Sequence, residues 1–511
     1  MTTSEIGILI AIVIYMVAIV GIGIYCAKES NTVGDFYLGG RKLGPFVTAM
    51  SAEASDMSSW LLMGLPGVAY FTGLTDAFWT AVGLAIGTYV NWLIVAKRLR
   101  HYTVVTNAIT IPDFFANRYR DKTNILKFLS AAIIIVFFVP YTASGFAACG
   151  KLFSSLFNID YTTAMIISAI IIVAYTTLGG FLAASTSDFI QSIVMTIALA
   201  IVLFYGLYSV GGIETVINDI KDLPGYLNLA QTYDPATNSA SDYGILKIFS
   251  MMAWGLGYFG MPHILLRFMA IEDPNKLSLS RRVATVWVVI SMAIAVLIGI
   301  IGFSMSAHDV LPTFASSSEA ETVIVQIAHV LSEHSILTAL LAGVILAGIL
   351  ASTMSTADSQ LLAASSSVTE NILKDVFHFD VSPTLNIVIA RVSVILISII
   401  GVFLASDPNS SVFSIVSFAW AGFGATFGPV MLFALFWKRS NKYGAMAGMI
   451  VGGIMIFVWK YLISPMGGIW GIYELLPSFI LASIAIVVVS LLTNEPEVEI
   501  IYEFDEVNDM K

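Results

Sequence analysis

The sequence predicts an all-α polytopic membrane protein of thirteen transmembrane helices, with two five-helix inverted repeats and with helices 2 and 7 broken. Three observations predict it. Hydrophobic residues make up 58% of the 511 residues, charged residues 11%, and mean hydropathy is +0.87. Soluble domains hold about 45–50% apolar and about 25% charged residues. Apolar runs recur along the whole chain, and a bilayer core takes about 20 such residues per helix. Two of these runs, five apart, are interrupted by glycine and proline, as expected of inverted repeats with a ligand site between them.

In order, the runs are 6–26, 46–74, 77–96, 125–157, 161–182, 188–210, 245–271, 282–305, 336–358, 385–406, 411–437, 443–465 and 470–492. MTTSE has no positive charge, so the first run is not expected to be a cleaved signal peptide. An odd number of spans puts the termini on opposite sides. With the N-terminus outside and the C-terminus cytoplasmic, most of the 24 lysines and arginines face inward. Lys28, Arg41 and Lys42 precede the second span, Arg98, Arg118 and Arg120 follow the third, Arg267 stands at the end of the seventh, and Lys511 ends the chain. Lys151 falls outside. The single transmembrane domain divides into a first helix and loop (1–45), a first repeat (46–210), an extracellular loop (211–244), a second repeat (245–437), two further helices (438–493) and an acidic cytoplasmic tail (494–511). Residues 223–243 have the composition of a flexible loop. The tail, EPEVEIIYEFDEVNDMK, is expected to be a solvated end. Gly444, Gly448 and Gly452 form a close-packing face, expected to pack within the chain.

Several functions are excluded on composition. There is no Walker A motif, so ATP is not the expected energy source. Cys26 and Cys149 make neither a disulfide framework nor a zinc site. His329 and His334 miss the i, i+4 metal spacing, and no nucleophile–base pair stands out, so an enzyme is not expected. The net charge of −10 does not suit nucleic acid. No protein partner is evident, which leaves membrane lipid and a small-molecule substrate.

The polar residues at membrane depth carry the functional reading. The second span, FVTAMSAEASDMSSWLLMGLPGVAYFTGL (46–74), holds Glu53, Ser55, Asp56, Ser58 and Ser59, then Gly64, Pro66 and Gly67. The seventh has Gly255, Gly257, Gly260 and Pro262. The ninth ends GILASTMSTADSQ (348–360). Charged groups in a membrane are costly and point to an ion or substrate pathway. Sodium is a hard cation that takes oxygen ligands. Freed carbonyls at Ala54 and Met57, facing the hydroxyls of Ser355 and Thr356 and a carbonyl near Ser352, would supply them. A zwitterionic substrate would set its carboxylate near half-helix N-termini, and its apolar part against Trp60, Tyr141, Trp254 and Tyr258.

Six stretches carry a resemblance: LGGRKLGPFVTAMSAEASDMSSWLLMGLPG (38–67), IPDFF (111–115), GGFLAASTSD (179–188), WGLGYFGMPHILLRFMA (254–270), STMSTADSQLL (352–362) and SFAWAGFGATFGPV (417–430). On these the chain resembles the sodium/solute symporter family, and within it the proline-transporting branch. The resemblance implies a leucine-transporter-like fold in a bacterial plasma membrane and uptake of L-proline driven by Na+. It implies a sodium site of Ala54, Met57, Ser352, Ser355 and Thr356, with Asp56 and Asp188 as sodium-linked carboxylates. Substrate contacts fall on Ser58, Trp60, Tyr141, Trp254, Tyr258 and Pro262, and Arg41 matches a loop residue tied to coupling. The chain departs from the pattern at Glu53 and Ser59, where the family has glycine, and at Met261, where the branch has glutamine. These departures leave another amino acid, pantothenate or a sugar as alternative substrates. A transporter-like sensor or channel is the remote alternative. Glu53 lies about one helical turn from Asp56, and neighbouring carboxylates do not both ionise cheaply. A proton-sensitive element or second cation contact at Glu53 is one reading, and a glutamate bonded to a neighbouring helix is the other.

Overall fold

The computed structural model describes residues 2–27, 33–178, 180–379 and 382–510. Lys28, Gly179 and Lys511 lie outside them. Among the described residues, ten helices are long and apolar enough to cross a membrane: Thr3–Cys26, Leu74–Val105, Ile125–Phe157, Phe181–Ser209, Pro274–Ala307, Ile336–Val376, Leu385–Leu404, Val412–Phe436, Lys442–Met466 and Leu475–Leu492. The chain is therefore a multi-pass integral membrane protein. Of the other expected spans, 161–182 is the apolar helix Tyr161–Leu178. The remaining two, 46–74 and 245–271, are each divided into shorter segments, described with the site below.

The helix Ile336–Ser366 is the organising element. Ser335 starts it: its hydroxyl accepts from the Thr338 amide while the Thr338 hydroxyl accepts from the Ser335 amide, so two otherwise orphaned donors are satisfied. From Ala342 to Ser366 nearly every side chain is buried. This helix packs on Thr3–Ala27, Phe181–Ser209, Ile125–Phe157 and the helix Pro45–Ser59 that begins the second span. Its small residues bring the polar run 352–360 close to those neighbours. The over-long run 125–157 is one helix with Pro140 inside it. The glycines of the twelfth span do pack within the chain: a Cβ on Gly448 would lie 2.7 Å from Ile486 Cδ1, and one on Gly452 2.8 Å from the Ala425 carbonyl carbon.

Three expectations are corrected. Residues 223–243 are not an unstructured loop throughout, since Gln231–Asp234 and Ser239–Asp242 pair as an antiparallel hairpin; the fold is all-α apart from it. Thr75 and Trp79 hold that segment through the carbonyls of Asn228 and Leu229. The acidic tail is not simply solvated. Val498–Asp509 is a helix with Ile500, Phe504 and Val507 buried, the i, i+4, i+7 face of an amphipathic helix. Arg120 pairs with Glu503 at 2.7 Å and Lys438 with Asp505 at 2.5 Å, while Phe504 packs under the Arg98 guanidinium. Finally, Arg267 and Lys151 are not free loop charges. Arg267 is 1% exposed on the seventh span. Lys151 is buried against Glu321 at 2.8 Å, whose carboxylate also accepts the amides of Val412 and Phe413 at 3.0 Å.

Candidate functional site

The second span begins as the helix Pro45–Ser59, but Ser58 takes φ 48° and ψ −170°. A β-carbon makes that region unfavourable, and the Ser58 hydroxyl accepts from the Trp60 amide at 3.1 Å. A wider turn follows over Trp60–Gly64, then the helix Leu65–Thr72. The seventh span runs Ile245–Met252, tightens over Ala253–Phe259, and becomes extended at Met261 (φ −77°, ψ 109°). Pro262 then opens the helix Pro262–Ala270; proline has no amide hydrogen to leave unpaired there and disfavours a helical residue before it.

Four of the five expected sodium donors form one cluster. The Ser355 hydroxyl donates to the Ala54 carbonyl at 2.8 Å and to the Ser352 carbonyl at 3.2 Å. The Thr356 hydroxyl donates to the same Ser352 carbonyl at 3.0 Å. Met57 is adjacent in sequence, and its carbonyl accepts the Trp60 amide. The set is two hydroxyls and backbone carbonyls, all buried and all oxygen, which suits a hard monovalent cation.

Beside it lies a small cavity of about 10 Å³, room for about one water molecule, bounded by Asp56, Trp60, Leu84, Tyr141, Trp254 and Trp420. Asp56 is fixed on two sides: Tyr258 donates to its Oδ2 at 2.6 Å, and Tyr141 donates to its carbonyl at 3.1 Å. The Trp60 and Trp254 rings lie 5.4 Å apart, and Phe413 stacks near both, at 5.9 and 5.4 Å. Sequence reasoning missed Leu84 and Trp420, although Trp420 sits in the glycine-rich stretch 417–430. Its indole Nε1 donates to the Trp254 carbonyl at 2.7 Å and its ring meets Tyr258 edge-on at 5.1 Å. Gly257 makes room for it, since a Cβ there would stand 2.7 Å from Trp420 Cδ1.

The other expected residues are distributed around this centre. Ser58 and Ser59 line a second cavity, which shares Tyr141 with the first. Pro262 and Met261 are buried and shape the break in the seventh span without lining either cavity. Glu53 is buried and accepts from Trp92 Nε1 at 2.9 Å on the neighbouring helix; its Oε2 has no partner. Asp188 stands apart from the four-donor cluster. Its Oδ2 accepts from Ser51 at 2.7 Å and from Arg267 at 3.0 Å. Arg267 also donates to Ser51, to the His263 carbonyl and to Ser359, so one guanidinium joins the second, sixth, seventh and ninth spans. Arg41, with φ 57°, donates to the carbonyls of Met269, Thr103 and Ala108 at 2.6, 3.1 and 2.9 Å. Burial lowers its pKa to about 10, which leaves it charged near neutral pH. With Leu43 bridged to Ile271, it ties the ends of the two broken spans together.

Residues 36–452 match the model of the sodium:solute symporter family. The chain is 42% identical over 501 residues to a sodium/proline symporter of Haemophilus influenzae, covering 98% of this chain and 97% of that one. It is 41% identical to the osmoregulated proline transporter OpuE of Bacillus subtilis, covering 96% of each. Among solved structures it resembles a Na+-coupled sialic acid symporter in a substrate-bound outward-open state, with TM-score 0.78, 17% identity and coverage of 96% of this chain and 99% of that one. It also resembles MhsT in complex with L-phenylalanine, with TM-score 0.53, 15% identity and coverage of 88% and 98%. At such identities the structural likeness is one of fold.

Proposed function

The chain belongs to the sodium:solute symporter family, and we propose that it couples inward sodium flow to uptake of L-proline by alternating access. The observation that carries this is the contact between the Ser355 hydroxyl and the Ala54 carbonyl. That contact between the helices Pro45–Ser59 and Ile336–Ser366, close to the cavity lined by Asp56 and Trp60, supports this reading. Sodium binding to Ala54, Met57, Ser352, Ser355 and Thr356 would fix the interrupted segment of the second span, and the same segment supplies Asp56 and Trp60 to the cavity. Ion and substrate then favour each other's binding, and by linkage the coupling is reciprocal. The two relatives named for proline support this substrate.

In this reading the spans number thirteen. The divided segments 46–74 and 245–271 open the two repeats, the N-terminus is outside, the C-terminus is cytoplasmic, and the membrane is the plasma membrane. With both ligands bound, the repeats rock inward and sodium leaves to a low-sodium, negative interior. One charge moving through 100 mV is worth about 2.3 kcal/mol, and a tenfold sodium gradient about 1.4 kcal/mol. No covalent chemistry is required, so the protein is a transporter and not an enzyme. Uptake of labelled L-proline into proteoliposomes tests this. Accumulation should require an inward sodium gradient, collapse when the gradient is dissipated, and fail in Asp56→Asn. Uptake indifferent to sodium would refute it.

A further inference from the structure

The second cavity, about 10 Å³, is lined by Ser58, Ser59, Tyr141, Thr142, Thr356 and Gln360, among others. Two of its donors are unsatisfied. The Thr142 hydroxyl donates to Gln360 Oε1 at 3.0 Å, and Gln360 Nε2 has no partner. The Ser59 hydroxyl has none either. Both side chains are fully buried, at 0% exposure. Buried donors are seldom left unpaired, and leaving one so is costly. No carboxylate lines this chamber. Donors without acceptors or negative charge suit an anionic oxygen group.

The first cavity has the opposite character. Its only charged group is Asp56, which attracts an ammonium and repels a carboxylate. The indole N–H groups of Trp60 and Trp254 are also unpartnered, but they share that cavity with Asp56. Tyr141 lines both spaces, and the left-handed turn at Ser58 separates the residues serving each: Asp56 and Met57 on one side, Ser58 and Ser59 on the other.

We infer that the substrate carboxylate is received in this chamber by Gln360 Nε2 and the Ser59 hydroxyl, while the ammonium faces Asp56 and the apolar ring lies among Trp60, Tyr141, Trp254 and Trp420. This rests on the reading of the protein as a sodium-coupled proline carrier, and names the groups that recognise the amino-acid zwitterion. Thr356, a proposed sodium donor, lines the same chamber, so cation and carboxylate attract one another across it.

The test compares binding of L-proline with that of L-prolinamide, which keeps the ring and the ammonium but lacks the carboxylate charge. Affinities are measured by displacement of labelled L-proline from the purified full chain at saturating sodium. Two variants are used. Gln360→Glu keeps the oxygen that accepts from Thr142 and replaces the amide donor with oxygen. Ser59→Ala removes a single atom and preserves the fold if the first variant does not. The wild-type protein should prefer L-proline, and each variant should reduce that preference about tenfold, as expected for a charge-assisted hydrogen bond. A merely structural role would weaken both ligands alike, and an unchanged preference in both variants overturns the inference. If the wild-type protein fails to bind L-proline in sodium, the underlying reading falls and this inference with it.

Discussion

Substituting Gly257 with alanine should damage the aromatic cavity by displacing Trp420. The added Cβ would stand 2.7 Å from Trp420 Cδ1 and nearer still to Nε1 and Cε2, so the indole must move. Moving it breaks the 2.7 Å bond from Nε1 to the Trp254 carbonyl and disturbs the edge contact with Tyr258. Overpacking a tight core costs about 1–3 kcal/mol, and a buried donor left unpaired costs about 1–3 kcal/mol. The combined cost to the folded state is on the order of 3 kcal/mol, and the displaced indole should weaken L-proline binding as well. The assay is binding of labelled L-proline to purified protein at saturating sodium, with thermal unfolding recorded alongside. Gly21→Ala is the control, because nothing stands within 4 Å of a Cβ there, and it should bind normally. The smaller ring in Gly257→Ala/Trp420→Phe should recover much of the lost affinity. Unchanged affinity in Gly257→Ala, or no recovery in the double variant, would refute the placement of Trp420 in the cavity wall.

Other consequences follow from the same contacts. Ser355→Ala removes the hydroxyl that meets the Ala54 carbonyl; losing about 1–1.5 kcal/mol should raise the sodium concentration for half-maximal uptake about tenfold, as read from a sodium titration at fixed proline. Arg267→Gln leaves Asp188 buried without its counter-charge, and should lower stability by about 3–5 kcal/mol; thermal unfolding in detergent should show Arg267→Gln/Asp188→Asn less damaged than the sum of the single variants. Phe504→Ala should release the C-terminal helix, detected as faster hydrogen exchange over 498–509. High salt should do so less effectively, because exposed ion pairs such as Lys438–Asp505 contribute only about 0–1 kcal/mol each.

The divided spans were legible because their causes are local. Glycine and proline in 251–268, and polar residues packed into 51–59, do not suit an uninterrupted apolar helix at any register. The Ala54–Ser355 pairing was legible for a related reason: hydroxyls and freed carbonyls at membrane depth have few partners except one another. Trp420 was not, because nothing in its own segment distinguishes a cavity-lining indole from a packed one; the signal lay in Gly257, more than a hundred and fifty residues away. Arg267 looked like a cytoplasmic charge at the end of an apolar run, and only the tertiary fold brings Asp188, Ser51 and Ser359 around it. The tail helix was hidden by its composition, since acidic residues outnumber the three apolar ones that dock. Likewise Gln360 carries no local sign that its amide nitrogen lacks a partner.

In the proposed mechanism the interrupted second span links the ion to the substrate. The most direct measurement is a pair of equilibrium titrations on the purified chain: L-proline affinity as a function of sodium, and sodium affinity as a function of L-proline. The account predicts that each ligand tightens the other by the same factor, as linkage requires, and that Ser355→Ala shrinks this factor. Proline binding that is indifferent to sodium in the wild-type chain would contradict it.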